Sequence, residues 1–266
     1  MRLRFALTSL LFASFSIPAL AATPNWQSPY VGAYVGGAYG STHASTNAGT
    51  VTGTSYFLNS ANINAVNDAG SSTNNPAAVI AGIQAGHDWI WKKLIYGIAM
   101  DYGTVALNST NRVTNATYPD NSGNYSVSTS ITTNWLFTLR GRLGYQAMVR
   151  WPSLLYVTGG LAVTQLRVNN NFSDNTANTG TGGTDTSQNQ IGWTLGAGID
   201  LASFSHTTLD LEYLYVNVPS VKTTSSIYNS AGGFGIPAES MNSPFSTTGK
   251  FHANLFKIAL NYRFDE

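Results

Sequence analysis

Phe251-His-Ala-Asn-Leu-Phe-Lys-Ile-Ala-Leu-Asn-Tyr-Arg-Phe264 is the stretch on which the fold turns. On one parity it reads His252, Asn254, Phe256, Ile258, Leu260, Tyr262, Phe264. On the other it reads Phe251, Ala253, Leu255, Lys257, Ala259, Asn261, Arg263. One face is apolar and ends in aromatics, and the other carries both charges. Side chains alternate across a strand, so this pattern predicts a strand with lipid on one side and a polar interior on the other. A strand of a soluble sandwich also alternates, but the start of the chain favours the membrane.

Arg2 and Arg4 precede an apolar run from Phe5 to Leu20, and small residues follow at Ala19-Leu20-Ala21-Ala22. This is the layout of a secretory signal peptide over residues 1–22. Pro18 interrupts the run, which is also short for a membrane helix. Residues 23–266 then form one domain.

Composition narrows the class. Only 9% of residues are charged, against about 25% in ordinary soluble domains. Lys plus Arg number 13 and Asp plus Glu 12; removing Arg2 and Arg4 leaves 11 basic against 12 acidic. No basic face for nucleic acid is implied. Hydrophobic residues make up 43% of the chain and Gly accounts for 26 positions. After the leader, however, no run is long enough for a transmembrane helix. Apolar residues spread over alternate positions suit a β-barrel. The absence of Cys removes disulfides, thiolate metal sites and cysteine nucleophiles.

Eight alternating segments follow, at about 29–40, 78–90, 94–107, 127–145, 154–167, 189–202, 207–218 and 251–264. Short connections near Trp91-Lys92-Lys93, 146–153 and 203–206 alternate with polar stretches at about 41–77, 108–126, 168–188 and 219–250. Short periplasmic turns and four long extracellular loops are the pattern of an eight-stranded antiparallel up-and-down transmembrane β-barrel. Nine of the ten charges inside these segments (Asp88, Asp101, Arg140, Arg142, Asp200, Asp210, Glu212, Lys257 and Arg263) lie on the parity opposite the apolar faces, the exception being Arg167 at the end of its segment. Gly82, Gly86, Gly97, Gly192, Gly196 and Gly198 share that inward parity, as room for bulky neighbours in a narrow bore requires. Trp89, Tyr102, Trp135, Tyr145, Trp193, Tyr262 and Phe264 are placed to form interfacial girdles.

Several strings resemble a known family. They are Tyr30-Val-Gly-Ala-Tyr-Val-Gly37, Ala81-Gly-Ile-Gln-Ala-Gly86, Thr138-Leu-Arg-Gly-Arg-Leu-Gly-Tyr145, Tyr156-Val-Thr-Gly-Gly160 and Leu211-Glu-Tyr213. With Tyr262-Arg-Phe264 they resemble the eight-stranded outer-membrane barrels of the OmpA-like and opacity-like superfamily. The similarity is strongest to its "porin family" surface proteins and covers nearly the whole mature chain. It implies fold and residence in the bacterial outer membrane. It implies no single activity, because members share none. The terminal strand residues Phe256, Ile258, Leu260, Tyr262 and Phe264 resemble the C-terminal signal by which such barrels are recognised for insertion. The expected partners are outer-membrane lipid and lipopolysaccharide, the barrel-assembly machinery, and host, phage or cell-surface ligands met by the loops. A monomer is expected.

The candidate site is the charge network in the lumen: Asp101, Arg140, Arg142, Glu212 and Lys257. One reading is a salt-bridge network that fills the bore, since an enclosed unpaired charge is costly. The other is a polar constriction that passes small solutes, making the protein a narrow channel or ligand-uptake protein. Eight strands leave an interior just wide enough for side chains, which disfavours a large pore. The polar loops read as shielding segments low in core-forming residues. Gly180-Thr-Gly-Gly183 has no following Lys and no strand-helix setting, so it is not a phosphate loop. His43, His87, His206 and His252 show no metal-ligand spacing. Ser205, His206 and Glu212 are candidates for lipid hydrolysis, but in this register Glu212 points into the bore away from the turn holding His206. No enzyme activity and no cofactor are expected.

Overall fold

The computed structural model describes residues 25–51, 55–148, 152–204, 206–230 and 238–264. The expected signal peptide at 1–22 lies outside them. Nine strands and one helix follow in order: β1 Pro29–Ala48, α1 Ser60–Gly70, β2 Ser72–Asn74, β3 Ala77–Trp91, β4 Leu94–Thr117, β5 Asn124–Met148, β6 Pro152–Asp174, β7 Gly180–Phe204, β8 Thr207–Asn229 and β9 Asn242–Arg263. Each long strand pairs antiparallel with the next, and β9 pairs with β1 from Tyr30↔Arg263 to Ala48↔Phe245, closing the barrel. Eight long strands make the wall, and β2 is a short addition to the upper part of β1.

All eight expected strands are present, and the inside and outside are as the parity predicts. Val35, Ile83, Ile98, Leu143, Val157, Leu195 and Ile258 are exposed on the outer surface, while Asp88, Asp101, Arg140, Arg142, Asp200, Asp210, Glu212, Lys257 and Arg263 are buried inside. On β4 the outward residues Leu94, Tyr96, Ile98, Met100 and Tyr102 form an apolar band nine residues long, and Thr104, Asn108 and Thr110 succeed it. A tilted strand needs about 9–11 residues to cross the hydrocarbon. The other 15 residues of the 24-residue β4 therefore stand above the membrane. Aromatic pairs mark the two edges of the band. Tyr102–Trp135 and Trp193–Tyr215 lie on the upper side, with ring centroids 6.1 and 5.4 Å apart, and Trp89–Tyr96 lies on the lower side at 5.7 Å.

The structure corrects the extent of the loops. The stretches at 108–126 and 168–188 are mostly strand, leaving only 118–123 and 175–179 as connections. The stretch at 219–250 continues β8 and β9, and 41–77 contains the end of β1, α1 and β2. Above the membrane the outer face meets water, so the apolar residues move inside. Leu166, Val168 and Phe172 on β6 are buried, where lower on the same strand Leu155, Val157 and Leu161 are exposed. This inversion hides the strand signal from a search for lipid-facing residues.

Between β7 and β8 the wall is interrupted above the membrane. β7 pairs with β6 from Thr181 to Leu201, but its pairing with β8 stops at Trp193↔Asn217 and resumes at Gly182↔Ile227. The β8 side of this gap carries Pro219, Lys222 and a register shift against β9 between Val218 and Val221. Proline, lysine and bulges are the usual means of blunting an unpaired strand edge.

Candidate functional site

The lumen charges assemble into two tiers, placed by strand register. Glu212 faces Lys257 directly across β8 and β9, and Asp101 faces Thr138 across β4 and β5. In the upper tier Arg140 binds Asp101 at 2.6 Å and also pairs with Glu212. Lys257 lies 3.1 Å from Asp101 and 2.6 Å from Glu212. Thr138 donates to Asp101 at 2.8 Å and accepts from Arg140 Nε at 2.9 Å. Two cations and two anions thus neutralise one another at one level. Tyr34 lies under Lys257, with Nζ 4.7 Å from the ring centre. Glycine is required beside that ring, because a Cβ on Gly82 would come within 2.6 Å of Tyr34 Oη and one on Gly103 within 2.2 Å.

Arg142 does not belong to this tier. It forms a second one nearer the periplasm with Asp200 at 2.7 Å and Asp88 at 3.7 Å. Arg263 joins the same two carboxylates at 3.3 and 2.9 Å. The Arg142 guanidinium donates to Tyr30 Oη at 2.6 Å and stacks 3.9 Å from the Tyr156 ring. Tyr156 donates to Asp210 at 2.7 Å, and Gln84 donates to Asp210 at 3.2 Å. The space between the tiers, bounded by Gln84, Ala99, Arg140, Arg142, Tyr156 and Glu212 among others, has no room for a water-sized sphere. Asp88, Asp200, Asp210 and Arg263, inward by parity, are therefore further members of the buried network. The signal was available: once β3 is paired with β4, Asp88 stands opposite Gly97, beside Arg142 on the next strand.

The bore is filled above and below these tiers. Trp26, Ile95, Leu154 and Tyr156 close the periplasmic end. Above the upper tier a buried apolar layer includes Leu107, Leu136, Leu166, Leu214, Val216 and Leu255. Higher still, Tyr56, Phe57, Val66, Tyr125, Phe172 and Phe245 form a second layer that packs with α1. The strand pattern at 41–77 does not reveal this helix, although Asn59 caps it by accepting from Ala61 N at 2.8 Å. Ile63, Val66 and Ala69 recur at helical spacing, which was the available sign.

At the extracellular tip, Tyr56, Phe57, Asn62, Tyr118, Asp120 and Asp174 help to line an open cavity of about 230 Å³. Asp174 accepts from Tyr56 Oη at 2.8 Å, Tyr118 Oη at 2.8 Å and Gly180 N at 2.6 Å. Burial, and in second place the Asp174 charge, pushes the Tyr118 hydroxyl well above its ordinary range, so it stays a donor. Asp120 is held down to about 2 by hydrogen bonds from Ser122, with Asn62 and Asn59 adding to the effect.

The other candidates are not brought together. His206 stacks on Tyr262 in a periplasmic turn, and Glu212 is buried with Arg140 and Lys257. Ser205 lies outside the described residues. His43 contacts Thr73, and His252 lies beside Tyr215. Phe256, Ile258, Leu260, Tyr262 and Phe264 are all exposed on the outer face of the closing strand.

Comparison with known proteins agrees with this architecture. The model of the outer membrane protein β-barrel domain matches residues 7–264. The chain is 32% identical over 150 residues to the 31 kDa outer-membrane immunogenic protein of Brucella melitensis biotype 1, covering 56% of this chain and 58% of that one. It is 28% identical over 135 residues to the 22 kDa outer membrane protein of Rhizobium leguminosarum bv. viciae, covering 51% and 50%. The chain thus spans little more than half the length of the curated relatives it matches. Among solved structures, OprG of Pseudomonas aeruginosa is similar at 11% identity, covering 92% of this chain and 99% of that one, with a TM-score of 0.41. A closed barrel with an apolar belt, a lumen of paired charges and a family match over nearly its whole length resides in the bacterial outer membrane, and this chain belongs to the outer membrane protein β-barrel domain family.

Proposed function

We propose that the protein is a non-enzymatic surface barrel whose bore is closed, serving envelope integrity and contact with the surroundings through its extracellular end. The filled bore carries this reading. Opening a path through the apolar layer exposes at least Leu107, Leu166, Leu214 and Leu255, each no more than 2% exposed. At about 2 kcal/mol per leucine this costs on the order of 8 kcal/mol. That is roughly six powers of ten in population. The ion tiers add their own cost, because separating a buried pair leaves uncompensated charge.

In this reading the lumen network is structural. The aromatic face of β9 is the part read by the assembly machinery, and the apolar belt contacts lipid and lipopolysaccharide around a monomer. One relative is named as immunogenic, which supports an exposed extracellular end here as well. Planar-bilayer recording of the folded protein tests the closed bore. Bilayers are expected to remain silent, and regular single-channel steps would favour solute passage instead.

A further inference from the structure

The bore buries one carboxylate more than its cations match. Among the described residues it encloses five carboxylates, Asp88, Asp101, Asp200, Asp210 and Glu212, and four cations, Arg140, Arg142, Lys257 and Arg263. Every cation is already engaged. Arg140 and Lys257 share Asp101 and Glu212, while Arg142 and Arg263 share Asp88 and Asp200. Asp210 is left over. It is 3% exposed and forms no ion pair among the described residues.

The surroundings of Asp210 do not supply the missing charge. On β7 it stands directly opposite Asp200, with both side chains inward. Residues opposed in this way hold their Cβ atoms about 4.5–5.5 Å apart, and like charges there repel. Glu212 lies two positions along β8 on the same face. Tyr156 on β6 and Gln84 on β3 bond to Asp210 at 2.7 and 3.2 Å, and both are neutral. Arg142 on β5 stacks on the Tyr156 ring, but its guanidinium engages Asp200 and Tyr30. The β9 residue opposite Asp210 is Ala259. Tyr30 on β1 and Ala99 on β4 close the remaining sides. The enclosure has no room for a water-sized sphere, which excludes both solvent and a hydrated metal ion. A carboxylate enclosed without a counter-charge takes up a proton instead.

We propose that Asp210 is a proton-binding site: in the folded barrel it is a neutral carboxylic acid, whose proton completes the charge balance of the plug and makes the seal sensitive to pH. The proton sits on Oδ2, facing Gln84, while Tyr156 still donates to Oδ1. A neutral acid donates where a carboxylate accepts, so Gln84 turns its amide to present Oε1. Asn261 turns with it. Its Nδ2, otherwise buried without a partner, then donates across the 2.8 Å contact to the same Oε1. Four negative charges then face four positive ones, and Asp200 no longer opposes a second anion.

Folding of such a barrel takes up a proton. Aspartates of the unfolded chain titrate near 4, so above that value the unfolded state lacks a proton that the folded state holds. The unfolding constant of the wild type, divided by that of Asp210→Asn, therefore rises about tenfold per pH unit until Asp210 itself titrates in the folded state. Asn is neutral at every pH, so the contributions of all other groups cancel in the ratio.

The test has two arms, both on the folded protein in lipid vesicles. Carbon-13 NMR, with the carboxyl resonance assigned through the Asp210 backbone, is expected to show the protonated form near pH 6, where an ordinary aspartate is ionised. This arm uses the wild type and stands even if a variant fails to fold. Urea unfolding of the wild type and Asp210→Asn is expected to give a ratio of constants that rises about tenfold between pH 5 and pH 6. Asp200→Asn, which takes a partner from two arginines, is expected to unfold more readily than Asp210→Asn near pH 6. An ionised Asp210 near pH 6, or a ratio that stays flat or falls, would overturn the proposal. It rests on the bore being closed, and the two readings fail separately. Silent bilayers with an ionised Asp210 sink the proton site alone, whereas channel steps with Asp210 still protonated sink the closed bore alone.

Discussion

Glu212 serves both Arg140 and Lys257, and Asp101 is the only other carboxylate within ion-pair distance of either in the described bore. Glu212→Gln keeps the shape and removes the charge, leaving Asp101 to offset two cations where no water fits. The expected loss is about 3 kcal/mol in chemical unfolding of the folded barrel. A double-mutant cycle with Arg140 is expected to show strong coupling; a loss below about 1 kcal/mol would mean that solvent reaches the tier. Asp120 tests the opposite environment. Its folded pKa is lowered to about 2 from the usual carboxylate range near 4. Its contribution is therefore fully present above the unfolded value near 4 and is lost progressively as pH falls from there through about 2. A carbon-13 titration of its carboxyl group is expected to show an inflection near 2, and one near 4 would mean that the Ser122, Asn59 and Asn62 contacts do not form.

At the scale of the element, β4 crosses two solvents. Ile98 and Thr110 share the outward face, one within the apolar belt and the other twelve residues beyond it. Ile98→Arg is expected to cost about 2–4 kcal/mol near the bilayer midplane. Thr110→Arg should cost close to nothing, because the same face there meets water. Equal costs in refolding into lipid would displace the membrane boundary drawn from Tyr102. The gap between β7 and β8 has a different consequence. Between Gly182 and Trp193, half of the β7 amides point toward a neighbour with which they do not pair. In hydrogen exchange, amides of residues 184–190 are expected to exchange faster than those of the fully paired β6 stretch 166–172. Equal protection would mean that the two strands pair there in solution.

For the whole molecule, closure is redundant. The two ion tiers, the apolar layer and the cap under α1 block the same axis at successive heights. Arg140→Ala or Lys257→Ala is therefore expected to lower stability without producing conductance in planar bilayers. Steps appearing in either variant would identify the upper tier as the gate and discredit the redundancy.

Much of this protein was legible in its sequence because a lipid solvent imposes a strict rule on strands. Within the lipid belt Ile98, Leu195 and Ile258 lie on outward faces without charge, and apolar alternation there separates outside from inside. Arg142 shows where that rule stops. Parity places it in the bore, but only the stagger between strands decides that it meets Asp200 and Asp88 while Arg140, two residues away, meets Asp101 and Glu212. The extracellular half was harder to read because its solvent is water on the outside, so the apolar residues change face and bulges shift parity, as between Thr133 and Leu136. The tip cavity belongs wholly to tertiary structure. Asn62, Asp120 and Asp174 lie on three separate segments, and nothing local to any one of them specifies the others. Barrel closure brings those segments together, whereas the identity of the barrel itself follows from alternation within each strand.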